Sequence, residues 1–316
     1  MSFGLQSSKK RGSLLIGLLI AMTAALAFMA SMYSTFKLSI IRSSEMLDQR
    51  IAIDRAQSAA ALLKAPVFYC GYGMPSEASS YREAFLLQTQ SEPFNWSGPV
   101  SVMDRNGRRN AELRIAYGMP SRVSVNYSCA KSGAAACISL KQPFEKNYEL
   151  VRPFYFSKPN NVKNWLLFGA MLPPASPFAV KSVAGMTVRV HGRTSEFMIP
   201  EGDEAYLFRA LKVYCDKGAL YTQNYRSSGV QPRTQGIEDM RFELAGDKKT
   251  LTIYIIARGN LAADGNALRD ADDWPEEYKT AAAASRYRLY ASKITWSLPN
   301  CVGKDLSLVK NIAAQF

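Results

Sequence analysis

The beginning of the chain carries the apolar pattern of one helix with two unlike halves. No charged side chain occurs from Gly12 to Phe36, and the stretch LLIGLLIAMTAALAFMASM, Leu14 to Met32, supplies the roughly 20 apolar residues a helix needs to cross a hydrocarbon core of about 30 Å. Beyond it, Lys37 to Lys64 contain neither Pro nor Gly, and Ile40, Leu47, Ile51 and Leu62 fall on one stripe at helical spacing, interrupted by Ser44, Arg55 and Ser58. Pro66 is expected to stop the helix, because it has no amide to donate and its ring crowds the preceding turn. The pattern predicts one continuous helix from Leu14 to Lys64, about 75 Å long at 1.5 Å per residue.

After Pro66 the pattern turns to short alternating runs. Val100 to Asp104 and Ala111 to Tyr117 flank Asn106-Gly107, a strong hairpin signal with a loop of two residues or more. Arg122 to Tyr127 reads as a third strand, Tyr148 to Phe156 as another that Pro153 confines to an edge, and Met186 to His191 alternates at period two. Leu211 to Tyr214 and Ala219 to Tyr225 are joined by Asp216-Lys217-Gly218, Ile237 to Leu244 pairs with Thr250 to Ala257 around Gly246-Asp247, and Arg288 to Leu298 makes a last strand. Pro173, Pro174 and Pro177 mark a loop. The expected fold is α+β: a long N-terminal helix, half in membrane and half amphipathic, packed on an antiparallel β-rich domain.

The flanks of the apolar stretch set its expected orientation. Lys9, Lys10 and Arg11 crowd its N-terminal end, against only Lys37 and Arg42 on the other side, so the positive-inside bias leaves the first residues in the cytoplasm and the β-rich domain outside. A cleaved signal peptide is the rival reading, with an Ala-x-Ala-like site forced onto Ala27 to Ser31. Its apolar region would be shorter, however, and the helical pattern would end at the cut.

A basic KKRG leader, a small residue, then an apolar stretch that becomes amphipathic is similar to the N-terminus of type IV prepilins and type II secretion pseudopilins. The blocks YCGYGMP (Tyr69 to Pro75), YLFRALKVYCDKGALYTQNYR, GIEDMRFEL and RYRLYASKITWSLPN resemble, in order, segments of PilW-like minor pilins. The resemblance implies cleavage by a prepilin peptidase between Gly12 and Ser13, with N-terminal methylation as a further family property. It implies three regions: a leader over 1–12, a pilin-type helix over 13–65 and an extracytoplasmic head over 66–316. It also implies as partners inner-membrane lipid and other pilins or pseudopilins that meet the helix. Two positions depart from the family: Ser13 stands where Phe is usual, and Gly17 where Glu is usual. Without the Glu that meets a neighbour's free amine, a rare or terminal subunit is implied rather than the main filament building block.

Composition narrows the chemistry. Of 316 residues one is His and five are Cys, with Lys+Arg 39 against Asp+Glu 26 and a net charge of +13. A lone imidazole, His191, builds no two-His metal site, and every Ser-His or Cys-His nucleophile would have to run through it. The Ser128-x-x-Lys131 spacing of penicillin-recognising enzymes recurs at Ser7 and Lys10, Ser34 and Lys37, and Ser307 and Lys310, so it carries little. No P-loop, GxGxxG, GxSxG or HExxH is present. The acidic stretch Asn260 to Lys279, with Asp264, Asp270, Asp272, Asp273, Glu276 and Glu277, suggests calcium by its hard oxygens, but the spacing is not that of an EF-hand and a solvated loop is expected. No metal and no cofactor is expected.

The cysteines contain no CxxC. Cys129 and Cys137 are candidates for a short disulfide loop, and Cys215 and Cys301 for a staple between strands, which leaves Cys70 over; buried free thiols are the alternative. Of the positive charge, three units sit in the leader at Lys9, Lys10 and Arg11, and Arg105, Arg108, Arg109, Arg114 and Arg122 gather at the first hairpin. Nucleic-acid binding is disfavoured there, because aromatic residues do not interleave as a stacking platform would require. The expected function is a non-catalytic minor pilin or pseudopilin. An uncleaved single-pass protein with a periplasmic binding domain is the first alternative, and a cell-wall or polysaccharide enzyme built on paired carboxylates the second.

Overall fold

The computed structural model describes residues 6–85, 91–130, 137–144, 164–172, 177–191, 196–225, 229–262, 268–269, 271–279 and 285–301, with side chains from residue 15 onward except those of 129, 130 and 269. The chain divides into two compact units, residues 1–51 and residues 52–316. One helix, α1 (Gln6–Phe68), forms the described part of the first and enters the second. The others are α2 (Ala78–Ala84), a 3₁₀ turn at Glu92–Asn95, and α3 (Glu276–Lys279).

The strands are β1 (Val100–Arg105), β2 (Arg108–Ser124), β3 (Ser128–Ala130), β4 (Cys137–Ser139), β5 (Trp165–Leu167), β6 (Phe178–Ala184), β7 (Thr187–Val190) and β8 (Phe197–Ile199), then β9 (Glu204–Asp216), β10 (Ala219–Asn224), β11 (Val230–Gln235), β12 (Ile237–Leu244), β13 (Thr250–Ala262), β14 (Leu268–Arg269) and β15 (Tyr287–Ser297). The large sheet runs β1-β2-β9-β5-β6-β7-β4, with β10 and β11 branching from β9; the second runs β12-β13-β15-β14, and β3 pairs with β8. Strand β9 makes the branch because it is long. One edge pairs with β2 along nearly its whole length, while the other is shared by β5, at Tyr206 and Leu207, and β10, from Leu211 to Asp216.

The tight hairpins form where the turn chemistry placed them. Arg105 pairs with Arg108 around Asn106 and Gly107, both at positive φ (51° and 73°), so this loop has two residues; Lys217 and Gly218, at 48° and 72°, close β9 onto β10 in the same way. The expected third strand is instead the end of β2. Pro120 breaks the ladder, the register to β9 shifts between Pro120 and Val123, and Arg122 takes φ 60° in a bulge that lets the strand continue. The strand expected at Tyr148 to Phe156, and Pro173 and Pro174, lie outside the described residues; Pro177 directly precedes β6.

The helix differs from expectation in two respects. Pro66 lies within it, since a further turn is held by the amide of Tyr69 donating to Ala65 O at 3.1 Å and by Val67 being buried in the core. The face that packs is also another one. Ala52, Ala56, Ala59, Ala60, Leu63 and Val67 are buried, whereas Leu47 and Leu62 are exposed. At 3.6 residues per turn the two stripes point about 140° apart. Alanine lets the helix approach a sheet closely, and close approach decides the face more than side-chain size does.

The alanine face joins both sheets in one core. Val100, Leu113, Ile115, Leu211 and Val213 reach it from the large sheet, and Met240, Phe242, Leu251, Ile253 and Ile255 from the second. The opposite face of the large sheet is covered by an aromatic layer of Tyr81, Phe85, Phe94, Trp165 and Phe208. A further core fills the space among β4, β6, β7 and β8.

Candidate functional site

The functional surface best defined by the residues is that of α1. Leu18, Leu19, Ile20 and Phe28, which at 100° per residue point to four sides of the helix, are 61%, 55%, 63% and 66% exposed. These side chains stand exposed on every side, and this is the one helix among the described residues long and apolar enough, by length and composition, to cross a membrane. Its polar groups suit such a setting. The Thr23 hydroxyl donates to Ile20 O at 2.9 Å and those of Ser34 and Thr35 to Ser31 O at 2.8 and 3.0 Å, so none of the three is left without a partner. Gly12 and Ser13, and the leader cations Lys9, Lys10 and Arg11, fall on the backbone of the same helix. At Gly17 a Cβ would meet nothing within 4 Å, so the groove in the side-chain surface there is open.

Where α1 meets the sheets, Arg55 and the YCGYGMP turn hold it. Arg55 Nη1 donates to Arg258 O (2.6 Å) and Gly259 O (3.2 Å), and Nη2 to Asn260 Oδ1 (3.0 Å). The residue that interrupts the expected stripe is thus a clamp onto β13. At the helix end Gly71 and Gly73 take φ +74° and +67°, and a Cβ would lie 2.9 Å from Asn300 O and from Phe168 O respectively. Both positions demand glycine on conformation and on space. The Gly71 amide donates to Ala116 O (3.1 Å), the Gly118 amide to Tyr69 O (3.1 Å), and Asn300 Nδ2 to Phe68 O (3.0 Å), which joins the helix end to β2 and to the segment after β15.

The arginines of the first hairpin are largely spent on acids. Arg105 and Arg114 both contact the buried Glu112 at 2.8 Å, Arg105 stacks 3.5 Å above the Tyr214 ring, Arg108 lies 3.6 Å from the buried Asp239, and Arg109 lies 3.2 Å from Glu277. At Arg122 it is the backbone amide that donates to an acid, Glu204, at 2.6 Å. Lys212 bridges Glu92 (2.9 Å) and Glu112 (3.8 Å). Burial alone would raise the Glu92 carboxyl, but hydrogen bonds from Tyr225 and Lys212 and the charges of Lys212 and Arg114 outweigh it and hold Glu92 below the usual glutamate range. This couple of carboxylates is therefore a neutralised strut between strands, with the proton already gone from Glu92.

The remaining candidates are accommodated in the fold. Ser128 starts β3, donates to Asn126 O and accepts from the Ser139 amide, both at 3.0 Å, while Lys131 lies outside the described residues. His191 follows β7. Burial, then the charge of Lys181, lowers its pKa, and its Nε2 has no hydrogen-bond partner among the described residues. Asp264 and Asp270 are likewise outside the described residues. Asp273 pairs with Lys293 (2.9 Å) and Glu276 with Lys279 (2.7 Å), while Trp274 and Tyr278 anchor the same segment against Tyr254 and Leu289.

The cysteine arrangement corrects the expected staple. Cys301 is not with Cys215. Its thiol donates to Cys70 Sγ at 3.3 Å, while the Cys215 thiol lies within donating reach of Ile237 O on β12 (2.9 Å) and of Ala219 O on β10 (3.3 Å). The reason is topological: β15 pairs with β13, and the chain after it turns toward the end of α1 rather than toward β10. Cys137 is exposed and free on β4, and the Cys129 side chain lies outside the described ones. Missed from sequence were Arg55, Cys70 and the Glu92–Lys212–Glu112 strut; the Gly pair flanking Tyr72 was the available signal that the chain closes tightly near Cys70. Comparison with protein-family models, with curated proteins and with solved structures finds no match to this chain.

Proposed function

We propose that the protein is a non-catalytic minor subunit of a type IV pilus or type II secretion pseudopilus. Helix α1 holds it in the inner membrane with the β-rich head outside, a prepilin peptidase cuts between Gly12 and Ser13, and the same helix then enters the filament. One observation carries this reading: a single uninterrupted helix, apolar on every side over Leu14 to Met32, turns into an alanine-faced helix buried in the head domain. A plain anchor needs no such continuity, whereas a helix that must leave lipid for a bundle while carrying a folded head does.

The mechanism is packing. Moving the apolar half from lipid to a bundle of similar helices exchanges one apolar surrounding for another, so the step is decided by fit and not by water. The fit has two visible elements, the open surface at Gly17, where a neighbouring backbone can come close, and the exposed aliphatics Ile40, Leu47 and Leu62. Gly17 in place of the family's Glu points to a rare or terminal position.

The test is the mature N-terminus of membrane-extracted chain from cells with an active prepilin peptidase. The expected product begins at Ser13, and Gly12→Val leaves the precursor uncut. A wild-type chain that still begins at Met1, or normal trimming of the variant, would overturn the proposal.

A further inference from the structure

The end of α1 and the segment after β15 bring together two thiols that lie 231 residues apart in sequence, with Sγ atoms 3.3 Å apart. Both side chains are buried, Cys70 at 0% and Cys301 at 2% exposure. Each backbone is held independently of the sulfurs. The Cys301 amide donates to Leu298 O, Asn300 Nδ2 to Phe68 O, and Cys70 forms a bridge with Tyr117 of β2. The backbone next to Cys70 is packed closely on Cys301, since a Cβ on Gly71 would sit 3.0 Å from Cys301 Sγ.

We infer that Cys70 and Cys301 form a structural disulfide that ties the C-terminal end of α1 to the end of β15. Bond formation shortens the sulfur separation from 3.3 Å to about 2.05 Å, a closure of about 1.3 Å within reach of side-chain rotation. The oxidant is a disulfide, either that of an extracytoplasmic dithiol–disulfide protein or oxidised glutathione. One cysteine thiolate attacks it, forms a mixed disulfide and expels one thiolate. The second cysteine then attacks the mixed disulfide and expels the other. The protein loses two electrons and two protons, and the oxidant's disulfide becomes two thiols. Burial pushes the Cys70 thiol well above its ordinary range, so Cys70 in the folded, reduced chain offers little thiolate, and both sulfurs are closed off from an oxidant there; exchange belongs to the stage before residues 298–301 dock on the helix end. The other described thiols are less suited: Cys215 is turned toward the carbonyls of Ile237 on β12 and Ala219 on β10, and Cys137 is exposed on β4.

The bridge rests on the proposed topology in one respect, that the head lies in an oxidising space. Cells expressing the full chain are quenched in acid, their free thiols are blocked with N-ethylmaleimide under denaturing conditions, and an unreduced digest is read by mass spectrometry. The expected result is a linked peptide pair containing Cys70 and Cys301, two hydrogens lighter than the sum of its parts and lost on reduction, with N-ethylmaleimide on Cys215. In Cys70→Ser the Cys301 peptide should take up the label. N-ethylmaleimide on both Cys70 and Cys301 of the wild-type chain, or either one joined to a different cysteine, would overturn the inference. The same digest contains the N-terminal peptide: a chain starting at Ser13 with both thiols labelled defeats the bridge alone, and a bridged chain starting at Met1 defeats the processing reading alone.

Discussion

Gly236→Ala should destabilise the protein for two separable reasons, and Arg55 distinguishes them. Gly236 has φ +78°, where adding a Cβ costs about 1–2 kcal/mol whatever surrounds it. That Cβ would also lie 2.7 Å from Arg55 Cδ and 2.8 Å from Nε, so the arginine must leave its place. Its departure breaks the hydrogen bonds to Arg258 O, Gly259 O and Asn260. Single bonds from a charged donor contribute about 1.5–3 kcal/mol; because Arg55 is only partly buried we assign the whole set about 2 kcal/mol. Arg55→Ala should then cost about 2 kcal/mol and Gly236→Ala about 3.5 kcal/mol. The double variant should also cost about 3.5 kcal/mol, about 2 less than the sum, because the arginine can be lost only once. Urea unfolding of the full chain in detergent micelles, followed by tryptophan fluorescence, measures this; Trp96, Trp165, Trp274 and Trp296 all lie in residues 52–316, so the signal reports on that unit. Additivity within about 0.5 kcal/mol would refute the reasoning, since it would mean that Arg55 does not fill the space above Gly236.

The same unfolding assay checks three more outcomes. Ala59→Leu, at a position with 0% exposure between helix and sheets, should cost about 1–3 kcal/mol by overpacking, while Leu47→Ala, 60% exposed, should stay within about 0.5 kcal/mol. Asn106→Val places a β-branched residue at φ 51° in a two-residue hairpin loop and should cost about 1–2 kcal/mol. Glu92 is held ionised in the folded protein below its unfolded value of about 4.3. Its contribution is therefore present above that value and lost as pH falls through the lower folded one, so Glu92→Gln should flatten the decline in urea midpoint between about pH 5 and pH 3 relative to wild type.

The parts of the fold legible in sequence were those governed by neighbours along the chain. The Asn106-Gly107 and Lys217-Gly218 loops, β12 and β15 follow from turn residues and period-two alternation. Strand β9 was read only from Leu211, because its first half is buried on both faces: Leu207 enters one core and Phe208 another, so no alternation survives. The packing face of α1 was misread for a related reason. Large aliphatics dominate any reckoning of amphipathicity, while the alanines that make the contact weigh little, and which face approaches a sheet is decided by partners far along the chain. Arg55 looked like a defect in a stripe for that reason, and its acceptors lie more than 200 residues away. Cys70 and Cys301 carry no spacing signal at all; their meeting depends on where β15 ends relative to α1.

The join between α1 and the sheets also determines how the molecule bears tension. The part of the helix inside the β-rich unit is Ala52–Phe68, a segment about 25 Å long at 1.5 Å per residue. A pull along the axis of this segment acts parallel to its buried face and loads it in shear, so its contacts resist together instead of peeling one after another. A row of alanines is smooth, however, and offers little interlocking against sliding. Resistance to sliding is supplied by directional bonds at both ends, the Arg55 clamp on Arg258 and Gly259 near the start of the segment and, at its end, the Asn300 bond to Phe68 with the bonds that join Tyr69 and Gly71 to β2. Under load this segment is a rod pinned at both ends, and the alanine-lined stretch between the pins sets its alignment.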